Sequence, residues 1–241
     1  MGTGLPAMLP DWLHAIRRRS FYLPQVARRG APVGARVGVD WRQTLKRWSR
    51  QGHLDGSPVW RRMPYGFGRL VVLWDVSGSM SAYREWFFPW LYQMVRESDG
   101  THVFAFGTEV DNLTAHLKGT YADAVQSLYD KTFVWESGTA IGDAFKHWID
   151  DYGNRLLGSL TTLMIISDGW DVGSPERLEA AMRMMARRSQ KIIWVNPLMA
   201  TAGFEPRTRA LKTARNYVDS MVPGATIKDL RQLSWGFGFS V

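Results

Sequence analysis

Leu70-Val71-Val72-Leu73-Trp74-Asp75-Val76-Ser77-Gly78-Ser79 is the stretch on which the fold turns. Its apolar run, Leu70–Trp74, is unbroken up to Asp75, as a strand buried on both faces of a parallel sheet would read. An acid and two serines then follow at the strand's carboxyl end. In an open parallel sheet, ligands bind in the crevice beyond those ends, where strand order reverses.

Working outward, the pattern repeats. Tyr83, Trp86, Phe87, Trp90, Leu91, Met94 and Val95 recur at three- and four-residue steps, which predicts an amphipathic helix whose aromatic stripe packs into a core. Pro89 should bend or restart that helix. Thr101–Phe106 reads as a second strand, Tyr121–Tyr129 and Ile141–Trp148 as helices, and Leu163–Ile166 as a strand running into Ser167-Asp168-Gly169. Ser174-Pro175-Glu176 is a helix start, with an N-cap, a proline in the first turn and an acid beside it. That helix should end near Arg188, before a strand at Lys191–Val195 and a turn at Asn196-Pro197. Beyond Pro206 the expectation is one helix, a short strand near Tyr217–Val222 and a last helix at Ala225–Leu233. Strands alternating with helices imply an α/β, doubly wound, mostly parallel sheet covered on both faces.

Charge divides the chain. The formal net charge is +8, yet residues 1–69 hold 13 Lys/Arg against 3 Asp/Glu, and the remainder is close to neutral. Residues 1–66 therefore read as a basic arm rich in arginine and tryptophan, with Arg17, Arg18 and Arg19 among its cations and glycine and proline interrupting it. One short helix is expected within it, near Asp40–Arg50. Residues 67–241 read as the domain. The absence of cysteine excludes disulfides, thiolate zinc sites and cysteine nucleophiles. No two of the five histidines are spaced to share a helix face, which argues against a histidine-rich metal site. No secretion signal and no membrane span is read in the chain, and a cytoplasmic location is expected.

Three segments carry the chemistry: Asp75-Val76-Ser77-Gly78-Ser79, Ser137-Gly138-Thr139 before a helix, and Ser167-Asp168-Gly169. Two carboxylates and three hydroxyls make a set of hard oxygen donors, which suits Mg²⁺ or Mn²⁺ over zinc or copper. Asp171 reads as a loop residue satisfying backbone donors and is left outside that set.

DVSGSM resembles the DxSxS element of the metal-ion-dependent adhesion site of von Willebrand factor A (VWA) domains, whose fold is Rossmann-like. Thr139 and the SDG at 167–169 match the other two elements in order. The resemblance implies that Ser77, Ser79 and Thr139 ligate the ion directly and that Asp75 and Asp168 hold it through water. An ion so poorly neutralised would take an acidic ligand from a partner. DWRQTLKRWSRQG, FGTEV, SGTAIGDAF, SDGWDVG and WVNPL further resemble the CoxE-like branch. That branch implies a non-catalytic adaptor for metalloenzyme maturation or activation, acting with a MoxR-type AAA+ ATPase, a client metalloenzyme or both. Two alternatives stand beside it. One is a Mg²⁺-dependent hydrolase or phosphotransferase using Asp75, although Ser77 stands where such chemistry needs an acid. The other is nucleic-acid binding through the basic arm, which no motif supports.

Overall fold

The computed structural model describes residue 8 and residues 36–39, 41–51, 60–62, 68–135, 139–201, 204–206, 208–226, 228–230 and 233. Most of the basic arm, Arg17, Arg18 and Arg19 included, lies outside these residues, as do Ser137 and Gly138. Within the arm, β1 (Arg36–Val39) pairs antiparallel with β2 (Trp60–Arg62), and α1 (Trp41–Gln51) is the helix expected there.

The domain is built on six strands: β3 (Arg69–Asp75), β4 (Thr101–Phe106), β5 (Val110–Asn112), β6 (Thr161–Ile166), β7 (Lys191–Asn196) and β8 (Ser220–Pro223). Their order is β5-β4-β3-β6-β7-β8, all parallel except β5, which runs antiparallel to β4. The principal helices are α2 (Arg84–Glu97), α3 (Tyr121–Trp135), α4 (Ile141–Trp148), α5 (Pro175–Arg188) and α6 (Arg209–Ala214). This is the doubly wound α/β architecture that the alternation of elements predicts.

Period-two alternation along β3 divides the core. Leu70, Val72 and Trp74 face α2, where Phe87, Phe88, Trp90 and Leu91 are buried. Val71 and Leu73 face the other way, onto the layer holding Phe145 and Trp148 of α4 and Leu178, Met182 and Met185 of α5. Each fully buried aromatic or aliphatic side chain contributes about 1.5–3 kcal/mol. Gly142 sets the distance between α4 and α5, because a Cβ there would lie 2.5 Å from the backbone nitrogen of Leu178.

The split places the site. β3 leaves the sheet towards α2 on one face, while its neighbour β6 leaves towards α5 on the other. The crevice where strand order reverses therefore opens between the carboxyl ends of β3 and β6.

Four local differences from expectation follow. Pro89 does not restart the helix: α2 is a single element, held by the buried Phe88 and Trp90 on either side of the proline. The helix expected at Tyr121–Tyr129 runs on to Trp135. The edge strand β5, only Val-Asp-Asn, has no apolar run to announce it and takes its form from pairing with β4. Of the helix expected at Ala225–Leu233, residues 228–230 and 233 are helical, and residues 227, 231 and 232 lie outside the described residues.

Candidate functional site

The turn after β3 folds back on its own acid. Asp75 is wholly buried, and its Oδ1 accepts from the Ser77 backbone N–H at 3.0 Å. Its Oδ2 accepts from the Ser167 hydroxyl at 2.6 Å, which ties the end of β3 to the end of β6 across the crevice. Burial, partly offset by those two hydrogen bonds, pushes the Asp75 carboxyl up to about 6. Ser77 is buried, Ser79 is exposed, and their hydroxyl oxygens stand 3.2 Å apart. Arg84 fixes this turn from the start of α2 by donating to the carbonyl of Val76 at 2.6 Å.

The exit from β6 is fastened as firmly. Asp168 is buried, with Oδ1 accepting from the Trp170 N–H at 3.0 Å. The Ser167 and Asp168 carbonyls accept from Trp194 Nε1 and Asn196 Nδ2 on β7. Gly169 adopts φ +80°, in the left-handed region that favours glycine, and its N–H donates to Ser167 Oγ.

Thr139 joins the same end of the sheet through its backbone, whose carbonyl accepts from the Val172 N–H at 3.0 Å. Its side chain is buried, and Oγ1 has no hydrogen-bond partner among the described residues. Asp171 does what its sequence setting predicts. Its Oδ1 accepts from the N–H groups of Ile141 and Gly173 and so stitches the loop after β6 to the start of α4.

All five residues singled out in the sequence therefore sit on the three segments that meet at the carboxyl end. The ion expected among them does not follow. Among the described residues, no group of three or more His, Cys, Asp or Glu side chains is placed to hold a metal ion. Only two of the five residues are carboxylates, and hydrogen bonds engage both oxygens of Asp75 and one of Asp168. Burial also favours the neutral, protonated form of Asp75. The expectation of bound Mg²⁺ or Mn²⁺, and of a metal-ion-dependent adhesion site, is corrected on that finding.

Sequence reasoning missed two features here. Ser167 was read only as part of the SDG element, yet it is the donor that bridges to Asp75. Trp170 and Val172 enter the sequence reading only as part of SDGWDVG and prove to be exposed; the signal available is a tryptophan between two aspartates in a loop.

A family described as "VWA domain containing CoxE-like protein" matches residues 13–230, reaching across both the arm and the domain. No curated protein matches the chain. Among solved structures, proximal thread matrix protein 1 from the mussel byssus is similar at 17% identity and TM-score 0.47. That alignment covers 69% of this chain and 46% of the mussel chain, so this chain spans about half of that relative's length. BatB from Bacteroides thetaiotaomicron is similar at 15% identity and TM-score 0.47, over 69% of this chain and 95% of its own. The SpRpn10 VWA domain is similar at 14% identity and TM-score 0.43, over 72% and 98%. Among the described residues, no helix is long and apolar enough to cross a membrane.

Proposed function

This chain belongs to the CoxE-like VWA-domain family, and from that premise we propose that it grips a partner protein at the crevice between β3 and β6. Domains of this family are non-catalytic protein-interaction modules, and a general adaptor role of that kind is this chain's role too. That sets aside the hydrolase and phosphotransferase alternative.

The residues that would make the grip are Ser77, Ser79 and Thr139 at the lip, with Asp75 and Asp168 holding the loops beneath them. One observation carries this reading. Thr139 Oγ1 is buried and has no hydrogen-bond partner among the described residues, at the end of the sheet where α/β domains receive ligands. A buried hydroxyl left unpaired costs about 1–3 kcal/mol. A partner's carbonyl or carboxylate oxygen arriving at that position would recover it. On the loop after β3 the Ser77 and Ser79 hydroxyls pair with each other at 3.2 Å, and a hydroxyl can rotate to donate to an arriving oxygen instead.

The partner proposed is a MoxR-type AAA+ ATPase, with a metalloenzyme under maturation as the client, and the work is placed in the cytoplasm with that ATPase. Support for this finer identity comes from the CoxE-like family match. The test is retention of the purified MoxR-type ATPase from the same genome on the immobilised full chain. Thr139→Val and Ser77→Ala should each reduce retention about tenfold or more, while both variants stay folded. Equal retention by wild type and both variants would end this reading.

A further inference from the structure

The loop between β6 and α5, residues 167–174, carries two side chains that the isolated domain does not use. Trp170 is 65% exposed and Val172 is 81% exposed. Their backbone, however, is fixed. Trp170 N–H donates to Asp168, Val172 N–H to the Thr139 carbonyl, and Gly173 N–H to Asp171. Gly169 is pressed against Leu211 of α6, so closely that a Cβ would lie 2.5 Å from Leu211 Cγ. A large apolar pair held outward on a pre-ordered loop loses little freedom when something covers it. Tryptophan is also the residue type most enriched among interface anchors.

Charge indicates what covers it. Trp170 stands between Asp168 and Asp171, and no ion pair to either is found among the described residues. Arg177, at the start of α5, is already paired with Asp143 at 2.5 Å. Among the described residues the loop thus offers an exposed indole and, next to it in sequence, a half-buried carboxylate that has backbone N–H partners but no ion-pair partner. A guanidinium matches both, because its plane stacks on an aromatic ring while its N–H groups fork onto a carboxylate.

We propose that this loop receives an arginine of the partner protein, stacked on Trp170 and paired with Asp171, with an adjacent apolar residue covering Val172. The inference rests on the crevice being the partner site, and it adds the chemistry of the partner segment.

The test uses the full chain and three labelled hexapeptides, Gly-Leu-Xaa-Leu-Gly-Gly, with arginine, glutamine or glutamate at Xaa, and reads fluorescence polarisation. The arginine peptide should bind at least about tenfold more tightly than the glutamine peptide, and the glutamate peptide more weakly still. Trp170→Ala and Asp171→Asn should each weaken the arginine peptide about tenfold. Asparagine keeps the Oδ1 that accepts from Ile141 and Gly173, so the second variant removes the charge and leaves the loop tied. Glutamate binding as well as arginine, no arginine binding, or arginine binding unchanged by both substitutions would each overturn the proposal. Retention of the ATPase that still depends on Thr139 would then leave the crevice reading standing and remove only its arginine.

Discussion

Two loops leave the sheet side by side, one after β3 and one after β6, and they treat solvent in opposite ways. The first hides Asp75 and Ser77, with Asp75 hydrogen-bonded at both oxygens, and leaves Ser79 at the surface. The second ties its polar groups just as tightly but pushes Trp170 and Val172 into solvent. Buried polar groups and exposed large apolar side chains are the two departures from ordinary burial that carry information. Here they are adjacent, joined by the Ser167–Asp75 hydrogen bond. The lesson is that one loop acts as a brace and the other as a display.

The largest expected effect breaks the display at its hinge. Gly169→Ala places a Cβ at φ +80° and against Leu211, and should cost about 3 kcal/mol. Thermal unfolding should show a Tm lower by about 6–12 °C; a shift below 2 °C would mean that the loop is not held as described.

Next comes the brace, through pH. The folded Asp75 carboxyl, at about 6, lies above its ordinary 3.8, so the native state holds the proton more tightly than the unfolded chain. The stability this confers is complete below about pH 4 and is lost as pH rises through 6, on the order of 3 kcal/mol. Asp75→Asn should flatten that slope and be the more stable protein at pH 7.5, as measured by urea unfolding at pH 4, 5, 6 and 7.5. A wild-type slope of the opposite sign in this window, absent from the variant, would contradict the burial argument.

A smaller effect separates stability from binding. Thr139→Val removes a buried hydroxyl that has no partner among the described residues, at nearly constant volume, and should raise unfolding stability by about 1 kcal/mol even as it weakens partner retention. A destabilisation instead would mean that the hydroxyl is satisfied within the free chain. The smallest effect belongs to Trp170→Ala: with the side chain 65% exposed, unfolding stability should change by less than about 0.5 kcal/mol. A larger loss would make Trp170 a structural residue and remove the contrast between the loops.

Much of this architecture was legible in advance, for identifiable reasons. Leu70–Trp74 and Leu163–Ile166 are unbroken apolar runs because both faces of their sheet are covered. Ser174-Pro175-Glu176 announced α5 because capping chemistry is local, and Ser174 does accept from the Arg177 N–H. β5 was invisible because a three-residue edge strand is specified by its partner and not by its own residues. At the site, residue types could be read but their hydrogen-bond assignments could not. The serines and aspartates looked like ligands waiting for an ion, whereas Asp75 spends its oxygens on Ser77 and Ser167. Exposure of Trp170 was equally hidden, since a tryptophan reads as core until the loop around it is placed.

The most direct test of the crevice as a partner site is hydrogen–deuterium exchange on the full chain, alone and with the MoxR-type ATPase. Slowed exchange should concentrate at residues 76–80, 139–142 and 168–174, where the three segments meet. Protection confined to the outer faces of α5 and α6, with those segments exchanging as in the free chain, would contradict the account.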